Sequence, residues 1–506
     1  MKLYFETSNF PWSPERYHYA AEQMMLTLFP GERPEYPEGP PPEVLSGEGN
    51  AVIFTLRRGE KQTRVSALVF RNQERFDGVR RFPSEELDRP PAQVYHTVQH
   101  ALKLAFYKAG TALLGHEPPW GALTGVRPVK IPTKAMLAGA SPAQAERLLR
   151  DTYRVTEGRR RLAMDCAEAS LAALRSLAPG EVSLYVGIPF CPTRCAYCSF
   201  VSADVGRALK LIDPFLDALC RELAATGAML ADAGLRVRTV YFGGGTPTTL
   251  SAPQLDRLMG ELADHIDLSG CTEYTVEAGR PDTITAEKLA VLARRGCSRV
   301  SVNPQTMQDA VLERMGRAHR ADDILRAYAL ARESGIGCIN MDLIAGLPGD
   351  SAAGFRASLE QVLDLGPENV TVHTLALKKG SRLMEEGGGL PSGAAVADML
   401  DFAWAALRAA GQRPYYLYRQ KYMSGSFENV GWCRPGAESL YNICMMEELH
   451  TIVSLGGGGV TKLVDRATGY IERLANAKYP QEYIQKIDAI CADKARVAQF
   501  YAAHGR

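Results

Sequence analysis

No stretch of this chain approaches the roughly 18 consecutive apolar residues that a membrane-spanning helix needs. The N-terminal MKLYFETSNFPWSPERYHYA also has no apolar core behind its single lysine. Neither a membrane span nor a secretory leader is expected, and a cytoplasmic protein is. Charge of one sign is lacking too: Lys and Arg total 58 against 57 Asp and Glu, and the formal net charge of +1 gives no global field for nucleic acid or an anionic bilayer. Any anion must be held by local clusters. No GxxxxGKS or GxxxxGKT loop occurs, nor a GxGxxG turn followed by an acidic residue, which removes the common phosphate-cradling motifs. Cysteine is scarce, 11 in 506 residues, too few for a disulfide scaffold. What remains is an ordinary globular composition, 46% hydrophobic and 23% charged, in a chain long enough for two to four domains of roughly 100 to 200 residues.

The few cysteines are not scattered, since Cys191, Cys195 and Cys198 share one octapeptide. In a reducing compartment such a cluster points to metal. Ahead of it, residues 1–178 contain a proline-rich stretch (Pro37, Pro40, Pro41, Pro42), a hairpin and helical segments, which predicts an α+β domain of unassigned role. The hairpin is AVIFTLRR and KQTRVSALVF around Gly59, with apolar residues at alternate positions. The run Gly121 to Lys130 carries turn residues and two cations and is assigned no role.

From Ser183 the pattern becomes α/β. Apolar, β-branched runs begin at Ser183, Val237, Glu273, Ser298, Cys338 and Asn369, separated by amphipathic stretches of helical length. Ser251 is a cap candidate with Pro253 in the first turn, and ADDILRAYALARESG ends on Gly335. Six such units over 179–411 predict a partial (βα)6 barrel, followed by a mixed C-terminal extension over 412–506 that would cover the substrate. Parallel sheets place their sites at strand C-terminal ends, so those residues carry the functional question.

The first run ends in CPTRCAYC, the spacing Cys-x3-Cys-x2-Cys. A zinc site would want two separated pairs and a fourth ligand, whereas three thiols on one loop suit one corner of a cubane iron–sulfur cluster and leave a fourth iron open. The second run ends in GGGTPT, Gly243 to Thr248, where glycines permit close backbone approach to a ligand.

Together, YVGIPFCPTRCAYC and GGGTPT resemble the radical S-adenosylmethionine (SAM) superfamily, and Ile188-Pro189-Phe190 is similar to its oxygen-independent coproporphyrinogen III oxidase group. The long N-terminal region and NVGWCRPGAESLYN from Asn429 most resemble the HemZ-type coproporphyrinogen dehydrogenases of that group. The resemblance spans about residues 183 to 506. It implies a radical SAM barrel in which Cys191, Cys195 and Cys198 ligate three irons of a 4Fe-4S cluster and SAM chelates the fourth. Tyr185 and Tyr197 would flank this site, Gly244, Gly245 and Thr246 would face the amino acid part of SAM, and Glu277 would accept from the ribose diol. A second SAM would contact Gln305, Arg317, Asp342 and Ala376, with Arg317 opening the helix between the strands that end in Gln305 and Asp342. Gly187 and Phe200 depart from the better-known bacterial branch, which has His and Cys at those places.

The implied reaction is oxidative decarboxylation of two propionates of coproporphyrinogen III to vinyl groups, giving protoporphyrinogen IX, with a small redox protein as electron donor and an acceptor left unspecified. No side-chain acid–base pair is needed, because the cofactor carries the chemistry. Cations for a substrate with four carboxylates are sought in Arg413, Arg419, Lys421 and Arg434, interleaved with Tyr415, Tyr416, Tyr418, Tyr422, Phe427 and Trp432. Lys378, Lys379 and Arg382 form a second candidate cluster. The run Gly456 to Gly459 marks either close backbone approach or a loop. Two other functions share the motif, a haem chaperone and an anaerobic haem-opening methyltransferase.

Overall fold

The computed structural model describes residues 1–7, 13–37, 50–71, 74–198, 203–204, 208–377, 381–386, 391–420 and 424–505. Phe200, Lys378, Lys379, Lys421, Tyr422 and the Pro40–Pro42 stretch lie outside the described residues. The chain divides into two compact units, Met1–Met164 with Arg419–Phe427, and Asp165–Tyr418 with Glu428–Arg506.

In the first unit the predicted hairpin forms as β2 (Ala51–Arg58) and β3 (Gln62–Arg71), flanked by β1 (Lys2–Thr7) parallel to β2 and β4 (Glu74–Pro83) antiparallel to β3. Residues two apart share a face of a strand. Val52, Phe54, Leu56, Val65, Ala67 and Val69 accordingly form one fully buried face, in a common core with helices Glu15–Leu28 and Pro91–Leu114. Gly78 permits the closest approach: a Cβ there would sit 1.9 Å from the Ala105 carbonyl oxygen. The expected boundaries at 178/179 and 411/412 differ from the structure: residues 165–178 and 412–418 belong to the second unit, and Arg419–Phe427 to this one. Arg419 donates its amide to Val126 O, its guanidinium to Leu123 O and Ser426 O, and lies 5.6 Å from the Trp120 ring centroid.

The second unit contains β5 (Glu181–Ile188), β6 (Phe190–Cys191), β7 (Ala203–Asp204), β8 (Arg236–Gly244), β9 (Glu273–Glu277), β10 (Arg299–Ser301), β11 (Cys338–Ala345), β12 (Asn369–Thr374), β13 (Arg413–Tyr418), β14 (Asn429–Cys433), β15 (Ile452–Gly456), β16 (Val460–Val464) and β17 (Ile471–Ala475). All but the separate β6–β7 pair join one sheet in the order β13-β14-β12-β11-β10-β9-β8-β5-β15-β16-β17. The six strands β5, β8, β9, β10, β11 and β12 are the predicted parallel set. Between them run helices Ile212–Ala233, Ala252–His265, Ala286–Arg294, Ala321–Glu333 and Ala352–Leu365. Ser251 caps its helix in a capping box with Gln254, as expected.

Each strand alternates. Leu184, Val186, Val240, Phe242, Val276, Val300, Ile339, Met341 and Val370 are fully buried, whereas the positions between them are Tyr185, Gly187, Tyr241, Gly243, Thr275, Glu277, Ser301, Asn340, Asp342, Thr371 and His373. Period-two geometry therefore gives the sheet an apolar face and a face dominated by polar side chains. The polar face is internally bonded, for example Thr371 Oγ1 to Asn340 Oδ1 at 3.1 Å and Asn340 Nδ2 to Asp342 Oδ1 at 2.7 Å.

Residues 412–506 do not form a separate cover. A partial barrel has two edges with unpaired backbone groups, and the C-terminal strands satisfy both, β14 against β12 and β15 against β5. The segment after β14 meets the strands at their N-terminal ends: Ser439 Oγ and the Leu440 amide donate to Glu273 at the start of β9, and Arg299 at the start of β10 donates to Ala437 O and Glu438 O. The distinctive NVGWCRPGAESLYN is thus the strand that covers the β12 edge, itself flanked by β13, followed by a closure of the barrel base. Among the described residues no helix is long and apolar enough to cross a membrane.

The last helices are tied in by one buried carboxylate. Glu222 on helix Ile212–Ala233 takes a 2.6 Å ion pair from Lys494 and hydrogen bonds from the Gly456 amide, Asn476 and the Tyr483 hydroxyl. Removing one partner of a buried pair strands the other charge, at about 3–5 kcal/mol. Lys494→Met should lower stability by that amount in urea unfolding, and a loss under about 1 kcal/mol would show that Glu222 does not depend on this cation.

Candidate functional site

The exit of β5 is fixed by backbone. The Gly245 amide donates to Ile188 O and the Thr246 amide to Phe190 O, both at 2.8 Å, while the Gly457 amide donates to Gly187 O at 3.1 Å. Side chains are excluded at these crossings. A Cβ on Gly245 would lie 2.4 Å from Phe190 O, one on Gly456 2.2 Å from Gly187 O, and one on Gly187 2.7 Å from Gly457 O. The glycine run at 456–459 is therefore a close backbone approach, and Gly187 leaves no room for the histidine of the other branch. The amides of Gly245 and Thr246 are committed to the protein, so these two residues can offer a ligand only their carbonyls and the Thr246 hydroxyl.

The cysteine loop leaves β5 beside this junction. Cys191 Sγ lies 3.4 Å from Thr246 Oγ1, and the Cys198 amide donates to Cys195 O. Cys195 is buried, with Arg280 Nη1 at 3.8 Å and Arg317 Nη1 at 3.9 Å from its Sγ. None of the three forms a disulfide. Among the described residues no group of three His, Cys, Asp or Glu side chains is drawn together as a metal site. What suits an iron–sulfur cluster is the donor chemistry: three thiols on one loop, with two buried guanidinium groups to balance anionic sulfur.

Arg317 does not open a helix. It lies between helices Asp309–Arg314 and Ala321–Glu333 and turns inward, donating to the Tyr197 hydroxyl (2.9 Å), Asn303 O (2.8 Å), Gly279 O (3.3 Å) and His319 Nε2 (3.2 Å). Burial pushes the Tyr197 phenol up against the pull of this guanidinium. Arg317 thereby supports the cysteine loop through Tyr197.

Deeper in the barrel, the rings of Tyr185, Tyr241 and Tyr441 stack, the last two with centroids 4.3 Å apart. Tyr241 donates to Glu277 Oε1 at 2.5 Å. Burial raises the Glu277 carboxyl to about 7, helped by the Asp342 charge and opposed by the Tyr241 hydrogen bond. For Asp342 burial also acts upward, yet His373 and the hydrogen bond from Asn340 hold it below its ordinary value. Gln305 and Asp342 do come together, since Gln305 N donates to Asp342 O at 2.8 Å. Gln305 holds a left-handed backbone, φ +69, a strain of the kind that collects at functional sites. Gly243 packs closely against the tyrosines and Glu277: a Cβ there would be 3.0 Å from the Tyr241 ring and 3.2 Å from both the Tyr185 ring and Glu277 Cδ. Ala376 is half-buried just beyond β12.

The C-terminal cations are elsewhere. Arg413 pairs with Cys433, which in turn pairs with Asn369 at the start of β12, so Arg413 and Arg434 sit at the barrel base, opposite the cysteine loop. Arg419 belongs to the first unit. Tyr415, Tyr416, Phe427 and Trp432 are buried core residues. An aromatic, basic stretch looks alike whether it lines a ligand or packs a sheet edge, because composition does not report register. Of the second cluster, Arg382 is at the mouth: its Nη2 would be 3.1 Å from a Cβ on Gly316, and the Leu383 amide donates to Ala196 O in the cysteine loop.

Sequence reading missed Arg280, Asp282 and His319. Arg280 follows β9 by three residues, grips Asp282 through two 2.9 Å bonds and donates to Thr193 Oγ1 at 2.8 Å. Its signal was available, an Arg-Pro-Asp run directly after a strand end. The polar alternation of the strands was equally visible and likewise unused.

The model of the radical SAM superfamily matches residues 185–362. The chain is 39% identical over 414 residues to the oxygen-independent coproporphyrinogen-III oxidase-like protein HemZ of Bacillus subtilis, covering 81% of this chain and 83% of that protein. It is 31% identical over 309 residues to the heme chaperone HemW of the same organism, covering 59% and 77%. The solved structure of the coproporphyrinogen III oxidase HemN from Escherichia coli superposes with a TM-score of 0.51 at 25% identity, over 64% of this chain and 72% of that one. Family, motif and barrel agree: the chain belongs to the radical SAM superfamily, whose members use a 4Fe-4S cluster and SAM, and within it to the family of oxygen-independent coproporphyrinogen-III oxidase-like proteins.

Proposed function

We propose that this protein oxidatively decarboxylates two propionates of coproporphyrinogen III, giving protoporphyrinogen IX without oxygen. The observation that carries the reading is the three-thiol loop set over a polar barrel, in a chain 39% identical to a coproporphyrinogen-III oxidase-like protein. Cys191, Cys195 and Cys198 would hold the cluster, and Glu277 with the Gly243–Thr246 cradle would hold SAM. When bound, these groups supply a 5'-deoxyadenosyl radical, generated by an electron from a small redox protein and able to take hydrogen from a propionate β-carbon. The chain itself binds, orients and excludes water. Tyr185 would flank the SAM site, its side chain packed beside Gly243 and Gly244. The Gln305–Asp342 pair with Ala376 lines the far side, where a second SAM would sit. Arg382 is the propionate-binding cation at the mouth, a role that Arg413 and Arg434 cannot take from the base. The relationship to HemW supports a second reading, haem binding and transfer.

An anaerobic assay separates these. With reductant, SAM, coproporphyrinogen III and an electron acceptor, the protein should release 5'-deoxyadenosine and carbon dioxide and lower the substrate mass by two formic acid units, through a mono-decarboxylated species. Cys195→Ala should abolish turnover together with the cluster's EPR signal. Arg382→Ala should raise the share of the mono-decarboxylated species, while Arg413→Ala leaves it unchanged. Haem uptake with no decarboxylated product would assign the protein to the chaperones. Methylated, ring-opened tetrapyrrole with S-adenosylhomocysteine would assign it to the haem-opening methyltransferases.

A ribose diol is best accepted by ionised Glu277, whose carboxyl titrates near 7. Raising the pH from 6 to 8 increases the competent fraction, so SAM affinity should rise by up to about tenfold. Anaerobic calorimetry should show this rise in the wild type and not in Glu277→Gln. A pH-independent affinity in the wild type would remove Glu277 from the SAM site.

A further inference from the structure

Behind the cysteine loop two buried arginines and a buried histidine meet a more exposed carboxylate, Asp282. Arg280 Nε and Nη2 grip both oxygens of Asp282 at 2.9 Å, and Asp282 Oδ1 is 3.6 Å from His319 Nδ1. His319 Nε2 accepts from Arg317 Nε at 3.2 Å, and Arg317 and Arg280 then converge on Cys195 Sγ from 3.9 and 3.8 Å. Arg280 is 3% exposed and Arg317 7%, so water screens neither. Burial and the two arginines hold His319 below its ordinary value, although Asp282 pulls the other way, and its Nε2 is taken up as the acceptor from Arg317. The two guanidinium groups carry two positive charges and Asp282 one negative, so the group presents a net positive charge to one thiol. Cys191 has a neutral neighbour in Thr246.

We propose that Arg280, clamped by Asp282, is a positioning residue that sets the reduction potential of the cluster through Cys195 while anchoring the loop at Thr193. The inference rests on the cysteine loop being the cluster site. A cation beside a ligand sulfur favours the reduced cluster, which carries one more negative charge, and hydrogen bonds to ligand sulfur act the same way. Asp282 moderates this and fixes the fork, because a two-bond carboxylate holds a guanidinium in one plane. Arg280 also donates to both Thr193 O and Thr193 Oγ1, so one side chain orients the loop and tunes it.

The test is an EPR-monitored redox titration of the anaerobically reconstituted full chain, with iron counted in every sample. Arg280→Gln removes the cation and should shift the one-electron equilibrium about tenfold towards the oxidised cluster, a potential about 59 mV lower. Asp282→Asn removes the opposing charge and should shift it upward. Arg280→Lys keeps the charge and should stay nearer the wild type than Arg280→Gln. Opposite signs for Arg280→Gln and Asp282→Asn are the signature of electrostatic tuning, which a merely structural role does not produce. Shifts of the same sign, or an Arg280→Gln potential equal to that of the wild type, overturn the proposal. If Arg280→Gln loses iron, Asp282→Asn decides it: an upward shift relative to the wild type supports the proposal, and a downward shift or none overturns it. A wild-type chain that assembles no cluster at all would instead overturn the ligand assignment beneath it.

Discussion

The structure depends on a backbone crossing at the end of β5. There Gly187, Ile188 and Phe190 give their carbonyls to the amides of Gly457, Gly245 and Thr246. Three segments far apart in the chain meet with no side chain between them, and the direction in which the cysteine loop leaves the sheet follows from that meeting. A methyl group at any of several glycines would intrude on a carbonyl oxygen. The loop is then held from its other side by Arg280 and Arg317, and its middle is pinned through Ala196 to Met315 O and Leu383 N. The geometry around the three thiols thus comes from carbonyls and guanidinium forks as well as from the packing of Ala196 and Tyr197 against Met315, Leu347 and Leu383.

The barrel strands and the cysteine loop were legible because they are local. Strand runs follow from residue type and alternation, and a three-thiol octapeptide is read in one window. Cys191 and Thr246, 55 residues apart, were both identifiable as strand-end residues before their 3.4 Å contact was known. The hairpin Ala51–Arg71 and the cap at Ser251 were local in the same sense.

What escaped was non-local. Whether Arg413 lies at the mouth or the base depends on β13 running parallel to β12 through an intervening antiparallel strand, and no window of sequence contains that register. Arg419 sits one residue beyond β13 and belongs to a different unit. Arg317 was identified as functional, but its partners, Tyr197 and Asn303, come from separate turns of the barrel, so its inward direction was invisible. Arg280 escaped for a different reason: the Arg-Pro-Asp run after β9 is visible in the sequence, but its role is unreadable until the thiol facing it is known.

The parallel pairing of β5 with β15 has a consequence for synthesis. Ser183 on β5 and His450 just before β15 are bonded across 267 residues of chain. A chain emerging N-terminus first presents β5 and its cysteine loop long before that outer neighbour exists, and loops this long close late and slowly. Until then the β5 edge and the carbonyl of Gly187 face solvent. The nascent protein therefore passes through an open-edged stage, with the three thiols already made and the wall beside them not yet built, in which stray strands have their best chance to pair.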